Sequence, residues 1–166
     1  AIMNEHAERA ASRCGLGAVM GSKMLKAVAV RGHGKVPIAD EDTLTALAKE
    51  ITHTIRTNPA CQHFSKGGTA ADFAVFFSLG DTPAYNWSRG DLGGVGDPGV
   101  EKLRLDDILV GRRTCYTCPY GCRRVITVKD DKYATEERVE GPEYEAVAAL
   151  GSNCGIDDIK VVAKMN

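Results

Sequence analysis

Three cysteines stand close together in the second half of the chain, as Cys115-Tyr-Thr-Cys118-Pro119-Tyr-Gly121-Cys122. The two-residue gap lets the first two thiols converge on one metal centre, and Pro119 and Gly121 turn the backbone so that the third can join them. Such a triplet with a distant fourth ligand is typical of a [4Fe–4S] cluster, whereas a four-cysteine zinc site usually has two paired C-x2-C knuckles. We therefore interpret Cys115, Cys118 and Cys122 as cluster ligands, with zinc and buried structural thiols as the alternatives.

The fourth ligand stays open, because the chain has three further cysteines, Cys14, Cys61 and Cys154. From spacing alone Cys154 is the preferred candidate. Positive charge flanks the triplet on both sides, in Arg112, Arg113, Arg123 and Arg124. Basic groups there would offset the negative charge of a thiolate-ligated cluster. For two of the four we expect an ordinary solvated charge instead.

A glycine-rich stretch, Gly15-Leu-Gly17-Ala-Val-Met-Gly21, is predicted to form a turn beside Arg13 and Lys23. It does not fit a dinucleotide fingerprint, because the third glycine comes one residue late and we predict a strand after the motif rather than before it. It also lacks the G-K-[ST] ending of a P-loop. Its backbone N–H groups could still cradle an anion, and a tight structural turn is an equally good interpretation.

Composition bounds the class of protein. The chain has 166 residues, of which 43% are hydrophobic and 26% charged, values that are ordinary for one globular domain. A net charge of −1 without a basic run argues against a partner that is nucleic acid or a membrane surface. No apolar stretch approaches the ~20 residues of a membrane span and no signal peptide is visible, so we expect a cytoplasmic protein. A predicted helix still continues at the last residues, so we expect a segment of a longer polypeptide.

Hydrophobic periodicity predicts a mainly α chain with a minor β part, an α+β fold. The clearest helix covers 40–57, with Asp40 as its N-cap and Asn58-Pro59 at its end. A second helix at 70–79 is predicted to be capped by Thr69 and closed by Gly80. Further helices are predicted at 4–13, 100–110, 143–150 and 157–165, strands at 25–31, 124–128 and 132–135, and a long irregular loop at 80–99. The last two strands are predicted to pair.

Three motifs occur in order along the chain. They are Arg13-Cys-Gly-Leu-Gly-Ala-Val-Met-Gly-Ser-Lys23, the cysteine triplet, and Glu140-Gly-Pro-Glu-Tyr-Glu145 followed by Leu150-Gly-Ser-Asn-Cys-Gly-Ile-Asp-Asp158. Together they resemble the tungsten-containing aldehyde ferredoxin oxidoreductase family, whose polypeptide is considerably longer. The resemblance implies that 1–36 is the end of a pterin-cradling β domain and that 37–166 belongs to a helical domain, incomplete at its C-terminus, that carries the cysteine motif.

The resemblance also implies the cofactors: a bis-pterin group carrying tungsten or molybdenum, beside a single [4Fe–4S] cluster. Cys115, Cys118 and Cys122 match three ligands of that cluster. The family's fourth cysteine lies far downstream, which argues against Cys154. Four positions match the stretch that lies against the pterin phosphates: Arg13, Gly15, Gly17 and Ala18.

Tyr144 and Glu145 match a Tyr-Glu pair that the family places near tungsten. Burial in a dry cofactor pocket raises the pKa of a carboxyl toward neutrality, which suits a general base, and we expect Glu145 to fill that role. Tyr144 would donate a hydrogen bond to a developing oxyanion. From the residues alone, Glu143 and Glu145 are better explained as acids at a helix N-terminus, and the resemblance reverses this preference for Glu145 only. None of the four histidines matches the family's catalytic histidine: His6, His33, His53 and His63.

The resemblance implies an enzyme that oxidises small aldehydes to carboxylic acids and passes electrons through the cluster to ferredoxin or an electron-transfer subunit. This segment is expected to need the remainder of its parent polypeptide for activity. One alternative is the catalytic subunit of a benzoyl-CoA-type ring reductase, which shares cofactor and scaffold. Two others are a non-enzymatic iron–sulfur electron-transfer module, for which the triplet alone would suffice, and a zinc-binding scaffold.

Overall fold

The computed structural model describes residues 1–4, 9–93 and 99–166, which divide into two compact units, Ala1–Glu41 and Asp42–Asn166. In the first unit, strands β1 (Ile2–Asn4) and β2 (Arg9–Ala11) pair antiparallel, with Ile2 opposite Ala11. The prediction of a helix over 4–13 is therefore wrong where the structure describes this stretch, because Asn4 and Arg9–Ala11 lie in strands. Strand pairing overrides the modest helix propensity of so short a segment.

Helix α1 (Leu16–Ser22) follows the β1–β2 pair, and the glycine motif begins at its N-cap, Gly15, and continues inside the helix. The turn predicted for this motif is therefore wrong, because its residues after Gly15 are helical. The strand predicted at 25–31 is also wrong, since this stretch has no regular structure. Its apolar side chains are exposed, Val28 by 69% and Val30 by 86%. A strand needs a partner for its backbone groups, and within the described part of this unit only β1 and β2 are paired.

Helix α2 (Glu41–Thr57) confirms the clearest helix of the sequence. It ends before Asn58, whose side-chain oxygen accepts from the N–H groups of Ala60 at 2.9 Å and Cys61 at 3.2 Å. This cap begins helix α3 (Pro59–Gly67), with proline in the first turn, where a missing N–H costs nothing.

A 3-10 turn at Gly68–Ala70 leads to helix α4 (Phe73–Ser78), so only the later part of the predicted 70–79 helix is α-helical. Gly80 has φ +75° and lies just beyond the helix end, as predicted. Thr69 does not act as the expected cap. Its hydroxyl accepts a hydrogen bond from the backbone N–H of Tyr144 at 2.9 Å instead.

Three strands form an antiparallel sheet in the order β3 (Leu109–Arg113), β4 (Arg123–Ile126) and β5 (Val139–Glu140). The helix predicted at 100–110 shrinks to a 3-10 turn at Glu101–Leu103. The central strand, β4, confirms the strand predicted at 124–128. The prediction that it pairs with a strand at 132–135 is wrong, because β4 pairs with β3 and β5.

Residues 132–135 form a turn rather than that partner strand. The Asp130 carboxylate accepts from the N–H groups of Lys132 at 2.9 Å and Tyr133 at 3.0 Å. These bonds, with an ion pair to Lys160, lower the pKa of Asp130 to about 2. The side chain therefore competes successfully with strand pairing for the local N–H groups.

The last elements confirm the two closing helices. Helix α5 (Tyr144–Ala146) continues into a π-helical turn, Val147–Gly151, and helix α6 (Ile159–Met165) begins with Asp158 as its N-cap. Side chains from β4 and both helical segments form the most deeply buried part of the core: Val125, Ile126, Val147 and Val162.

The described residues are mainly helical with a small sheet part, which confirms the predicted fold class. No regular element covers 80–93, in keeping with the predicted irregular loop, and a single bridge joins Ala84 to Arg89. Within the described ranges, none of the helices combines the length and apolar character that crossing a membrane requires.

Candidate metal centre

The three motif cysteines lie on the loop that joins β3 to β4. Arg113 and Arg123 are paired across these strands, so Cys115 and Cys122 leave the same end of the hairpin. The N–H of Cys118 donates to the carbonyl of Cys115 at 3.1 Å, which closes a tight turn. Thr117 and Gly121 have φ values of +57° and +63° and bend the loop back on itself.

The thiols of this cysteine loop differ in exposure. Cys115 is exposed, whereas Cys118 and Cys122 are half-buried. Burial raises the pKa of the Cys122 thiol, and the charges of Glu143, Cys115 and Cys118 raise it further. The three motif thiols are therefore close enough to influence one another, and Glu143 is a nearby carboxylate that the sequence interpretation had not connected with them.

Within the described ranges, no group of three His, Cys, Asp or Glu side chains stands ready in metal-binding geometry. The donor chemistry nevertheless fits an iron–sulfur cluster, because three free thiols share one short loop and thiolate is the ligand that such clusters use.

Arg124 is the main support of the cysteine loop. Its side chain is buried at 3% exposure, and its Nε donates to the carbonyl of Cys122 at 3.1 Å. One terminal nitrogen, Nη2, donates to the carbonyls of Gly121 at 2.5 Å and Ser65 at 2.7 Å, and the other donates to that of Lys66. The guanidinium thus joins the carbonyls that end α3 to those that end the loop.

The other flanking arginines have different environments. Arg123 is buried and pairs with Glu140 at 2.8 Å across β4 and β5. Arg112 and Arg113 are exposed, and Arg112 donates to the Ser65 hydroxyl at 2.5 Å. Two arginines are therefore solvent-facing, as the sequence led us to expect, while the two on β4 are buried.

Gly68 is a site residue that the sequence interpretation missed. It has φ +68°, and a Cβ at this position would lie 2.8 Å from the carbonyl oxygen of Cys122 and 3.1 Å from Nε of Arg124. The 3-10 turn after α3 can therefore approach the cysteine loop only without a side chain here. The Gly67-Gly68 pair was the available signal, but nothing in the sequence indicated which segment it approaches.

Cys61 is the cysteine outside the motif that lies beside the loop. Its Sγ is 3.3 Å from the hydroxyl of Tyr120, and the Tyr120 ring packs edge-on against Phe64. The hydrogen bond with Cys61 raises the pKa of the Tyr120 hydroxyl. Cys154, preferred from spacing as a fourth ligand, is exposed, and its Sγ donates to the carbonyl of Ala149 at 3.3 Å.

Tyr144 and Glu145 are neighbours in sequence with opposite environments. The Tyr144 hydroxyl lies 2.8 Å from the Thr82 hydroxyl and 3.3 Å from the carbonyl of Asp81. Its ring packs on two phenylalanines of α4, Phe73 and Phe76. Glu145, on the same turn, is exposed. The structure therefore holds the phenol firmly and leaves the carboxylate accessible.

The glycine motif begins at Gly15, which has a left-handed backbone at φ +66°, and the preceding residue, Cys14, is also left-handed at φ +64°. Open space surrounds the position of a Cβ on Gly15, and Arg13 and Ala18 are exposed, which fits a backbone that receives an anion. Gly17 differs, because a Cβ there would lie 2.2 Å from the carbonyl oxygen of Ala1. The space beside Gly17 is thus filled by the chain itself.

The described histidines lie outside these sites. His33 and His53 are exposed, and His63 lies on α3 with its Nε2 2.8 Å from the Asp72 carboxylate. His6 falls outside the described residues.

A cavity of about 690 Å³ lies beside Arg124, between α3–α4 and β3, and its apolar wall includes Phe73, Leu103 and Leu109.

Two models of one protein family match this chain, one near its N-terminus and one over most of the remainder. The family described as aldehyde ferredoxin oxidoreductase, domains 2 and 3, matches residues 46–166, and the N-terminal domain of the same family matches residues 1–32. Proteins named tungsten-containing aldehyde ferredoxin oxidoreductase are 39% identical in Thermococcus kodakarensis and 40% identical in Pyrococcus furiosus, over 100% of this chain.

The chain spans 26% of the length of these two relatives. A more distant relative in Pyrococcus furiosus, named aliphatic sulfonate oxidoreductase, WOR-like subunit, is 27% identical over 89% of this chain and 23% of that protein. The matched residues 46–166 include the whole cysteine loop together with Gly68 and Arg124.

Proposed function

The chain belongs to the aldehyde ferredoxin oxidoreductase family, and from this membership we propose that it is part of a tungsten–pterin, iron–sulfur enzyme that oxidises aldehydes to carboxylic acids. The observation that carries the proposal is the cysteine loop between β3 and β4, within the matched region. As a segment, this chain would work only together with the remainder of its parent polypeptide.

Cys115, Cys118 and Cys122 would hold three corners of a [4Fe–4S] cluster, and a thiol from elsewhere in the parent polypeptide would hold the fourth. The support is the shared loop, its tight turn at Cys118 and its attachment through Arg124. When bound, the tungsten–pterin group would supply the two-electron redox chemistry of aldehyde oxidation, and the cluster would supply one-electron transfer. The acceptor would be ferredoxin or an electron-transfer subunit in the cytoplasm, where thiol ligands stay reduced.

Tyr144 and Glu145 would act on the substrate. Converting an aldehyde and a water molecule to a carboxylic acid releases two electrons and two protons, and Glu145 would accept one of these protons. Tyr144 would turn its hydroxyl hydrogen from the Asp81 carbonyl, 3.3 Å away, to the developing oxyanion while accepting one from Thr82, which lies 2.8 Å away. The packed ring supports the role of Tyr144, whereas the exposed carboxylate of Glu145 would enter a dry pocket only where the cofactor and the remainder of the parent polypeptide cover it.

Arg13, Gly15, Gly17 and Ala18 remain the residues proposed to lie near the pterin phosphates. Exposure of Arg13 and Ala18 and the open space at Gly15 support the assignment. For Gly17, the contact with Ala1 suggests that it shapes the motif rather than touches phosphate. The proposed domain boundary between 36 and 37 lies within the gap between the two matched regions, 1–32 and 46–166.

The test is made on the full-length parent protein, purified without oxygen. We expect tungsten, pterin and ~4 iron atoms per chain, with aldehyde-dependent reduction of a viologen dye. Iron without tungsten or pterin would favour the electron-transfer module. Reduction of a CoA thioester, with copurifying electron-transfer subunits, would favour the ring reductase.

Oxidation of aliphatic sulfonates is a second candidate activity, favoured by the 27% identity to the sulfonate oxidoreductase subunit. The 39–40% identity to the aldehyde enzymes makes aldehyde oxidation the preferred proposal. Dye reduction with an alkanesulfonate, in a preparation that is inert toward aldehydes, would reverse this preference.

A further inference from the structure

Arg124 is a buried cation whose hydrogen bonds all go to backbone carbonyls. It donates to Gly121 and Cys122 in the cysteine loop and to Ser65 and Lys66 at the end of α3. Among the described residues, no carboxylate forms an ion pair with it. Carbonyl dipoles satisfy its N–H groups but leave its full positive charge inside the protein.

The contrast with the preceding residue is direct. Arg123 and Arg124 are successive residues of one strand, so their side chains leave opposite faces of the sheet. Arg123 is paired with Glu140 at 2.8 Å, and its charge is neutralised within the protein. The charge of Arg124 is directed instead toward the carbonyl side of the loop that carries Cys122.

Burying an ion costs free energy unless an opposite charge compensates it. A cluster held by thiolates is negatively charged, and its potential depends on that charge, on hydrogen bonds and on exposure to solvent. Gly68 makes the close approach possible, since a Cβ there would meet both the Cys122 carbonyl and Nε of Arg124. Arg112 and Arg113 are exposed, so solvent and salt screen their charges.

We propose that Arg124 is the internal counter-cation and positioning residue of the iron–sulfur site: it holds the Cys122 end of the loop against α3 and raises the reduction potential of the cluster. The inference rests on the proposed function, because it requires a cluster on Cys115, Cys118 and Cys122. Adding an electron makes the cluster more negative, and a nearby buried cation stabilises that state. Removal of the cation must therefore lower the potential.

The experiment uses the full-length protein and the variants Arg124→Gln, Arg124→Lys and Arg113→Gln. Iron per chain is measured, and the cluster is titrated with reductant while the reduced form is followed by EPR. We expect Arg124→Gln to disfavour reduction at least tenfold, which is 59 mV for a one-electron couple. Arg124→Lys keeps the charge and should shift much less. Arg113→Gln removes an exposed charge beside the same loop and should change the equilibrium less than threefold.

Equal potentials in wild type and Arg124→Gln, at equal iron content, would overturn the inference and leave the proposed function intact. If Arg124→Gln loses its iron, a wild-type potential in an iron-replete Arg124→Lys supports the role of the charge. Loss of iron from both Arg124 variants would reduce Arg124 to a purely structural support and overturn the counter-cation role. A wild-type protein without iron would overturn the proposed function itself, and the inference with it.

Discussion

The carbonyl oxygen of Cys122 lies 2.8 Å from the place that a Cβ would take on Gly68. Two segments far apart in sequence, the end of α3 and the end of the cysteine loop, are therefore in backbone contact. The guanidinium of Arg124 donates to carbonyls on both sides of this contact. The three motif cysteines are thus supported by a helix that contributes none of them.

Replacing each motif cysteine with alanine in the full-length protein tests the cluster assignment. We expect Cys115→Ala, Cys118→Ala and Cys122→Ala each to lose iron, since every corner of a [4Fe–4S] cluster needs its ligand. Cys154→Ala is the matched control, because its exposed thiol donates only to the Ala149 carbonyl. Iron that stays near ~4 atoms per chain in all three motif variants would disprove the assignment.

Gly68→Ala tests the close packing behind the loop. The added methyl group would crowd the Cys122 carbonyl as well as strain a left-handed backbone, so we expect about 2–4 kcal/mol of destabilisation. Gly80→Ala is the control: it has φ +75° but no neighbouring atom within 4 Å, so only about 1–2 kcal/mol of backbone strain is expected. Denaturant unfolding and iron content are measured for both. Equal losses would show that backbone strain, not contact with the loop, explains the glycine.

Glu145→Gln tests the proposed general base. The substitution keeps shape and hydrogen bonding but removes basicity, so aldehyde oxidation should slow by about 10²–10⁴. Tungsten and iron content should not change. The acid limb of kcat against pH should disappear in the variant if this carboxylate produces it.

The control for Glu145 is Glu137→Gln, an exposed acid in the turn before β5. Glu143 is unsuitable as a control, because its charge raises the pKa of the Cys122 thiol. Equal rate losses in the Glu145 and Glu137 variants, or metal loss in the Glu145 variant, would remove Glu145 from the chemistry.

Ala18→Glu tests whether the glycine motif faces a phosphate. Ala18 is exposed on α1 and glutamate is a good helix former, so the fold should tolerate the change. A carboxylate there would repel phosphate, and pterin per chain should fall. Val28→Glu introduces the same charge at a side chain that is 69% exposed in the same unit and should leave pterin content unchanged. A full pterin complement in Ala18→Glu would favour a purely structural turn.

Interactions between residues close together in the sequence were sufficient to predict several features of the structure. The spacing of the cysteines predicted one loop with three neighbouring thiols, and Asn58-Pro59 predicted where α2 ends. A helix was also expected over 157–165, and Asp158 caps the observed one by accepting from the N–H of Lys160. Each of these signals acts between residues a few positions apart, through caps, turns or fixed side-chain spacing.

Only the tertiary structure decided which distant segments meet. The segment 132–135 has strand-forming residues, yet β5 pairs with β4 while Asp130 holds the N–H groups of the turn. Nothing in the sequence distinguished Arg124 from the other three arginines that flank the cysteine triplet. Nothing in it indicated that the Thr69 hydroxyl accepts from the N–H of Tyr144. These choices depend on burial, on the directions in which strands present their side chains, and on backbone contacts between elements. Such terms arise when the chain packs, and a residue's immediate neighbours in sequence do not encode them.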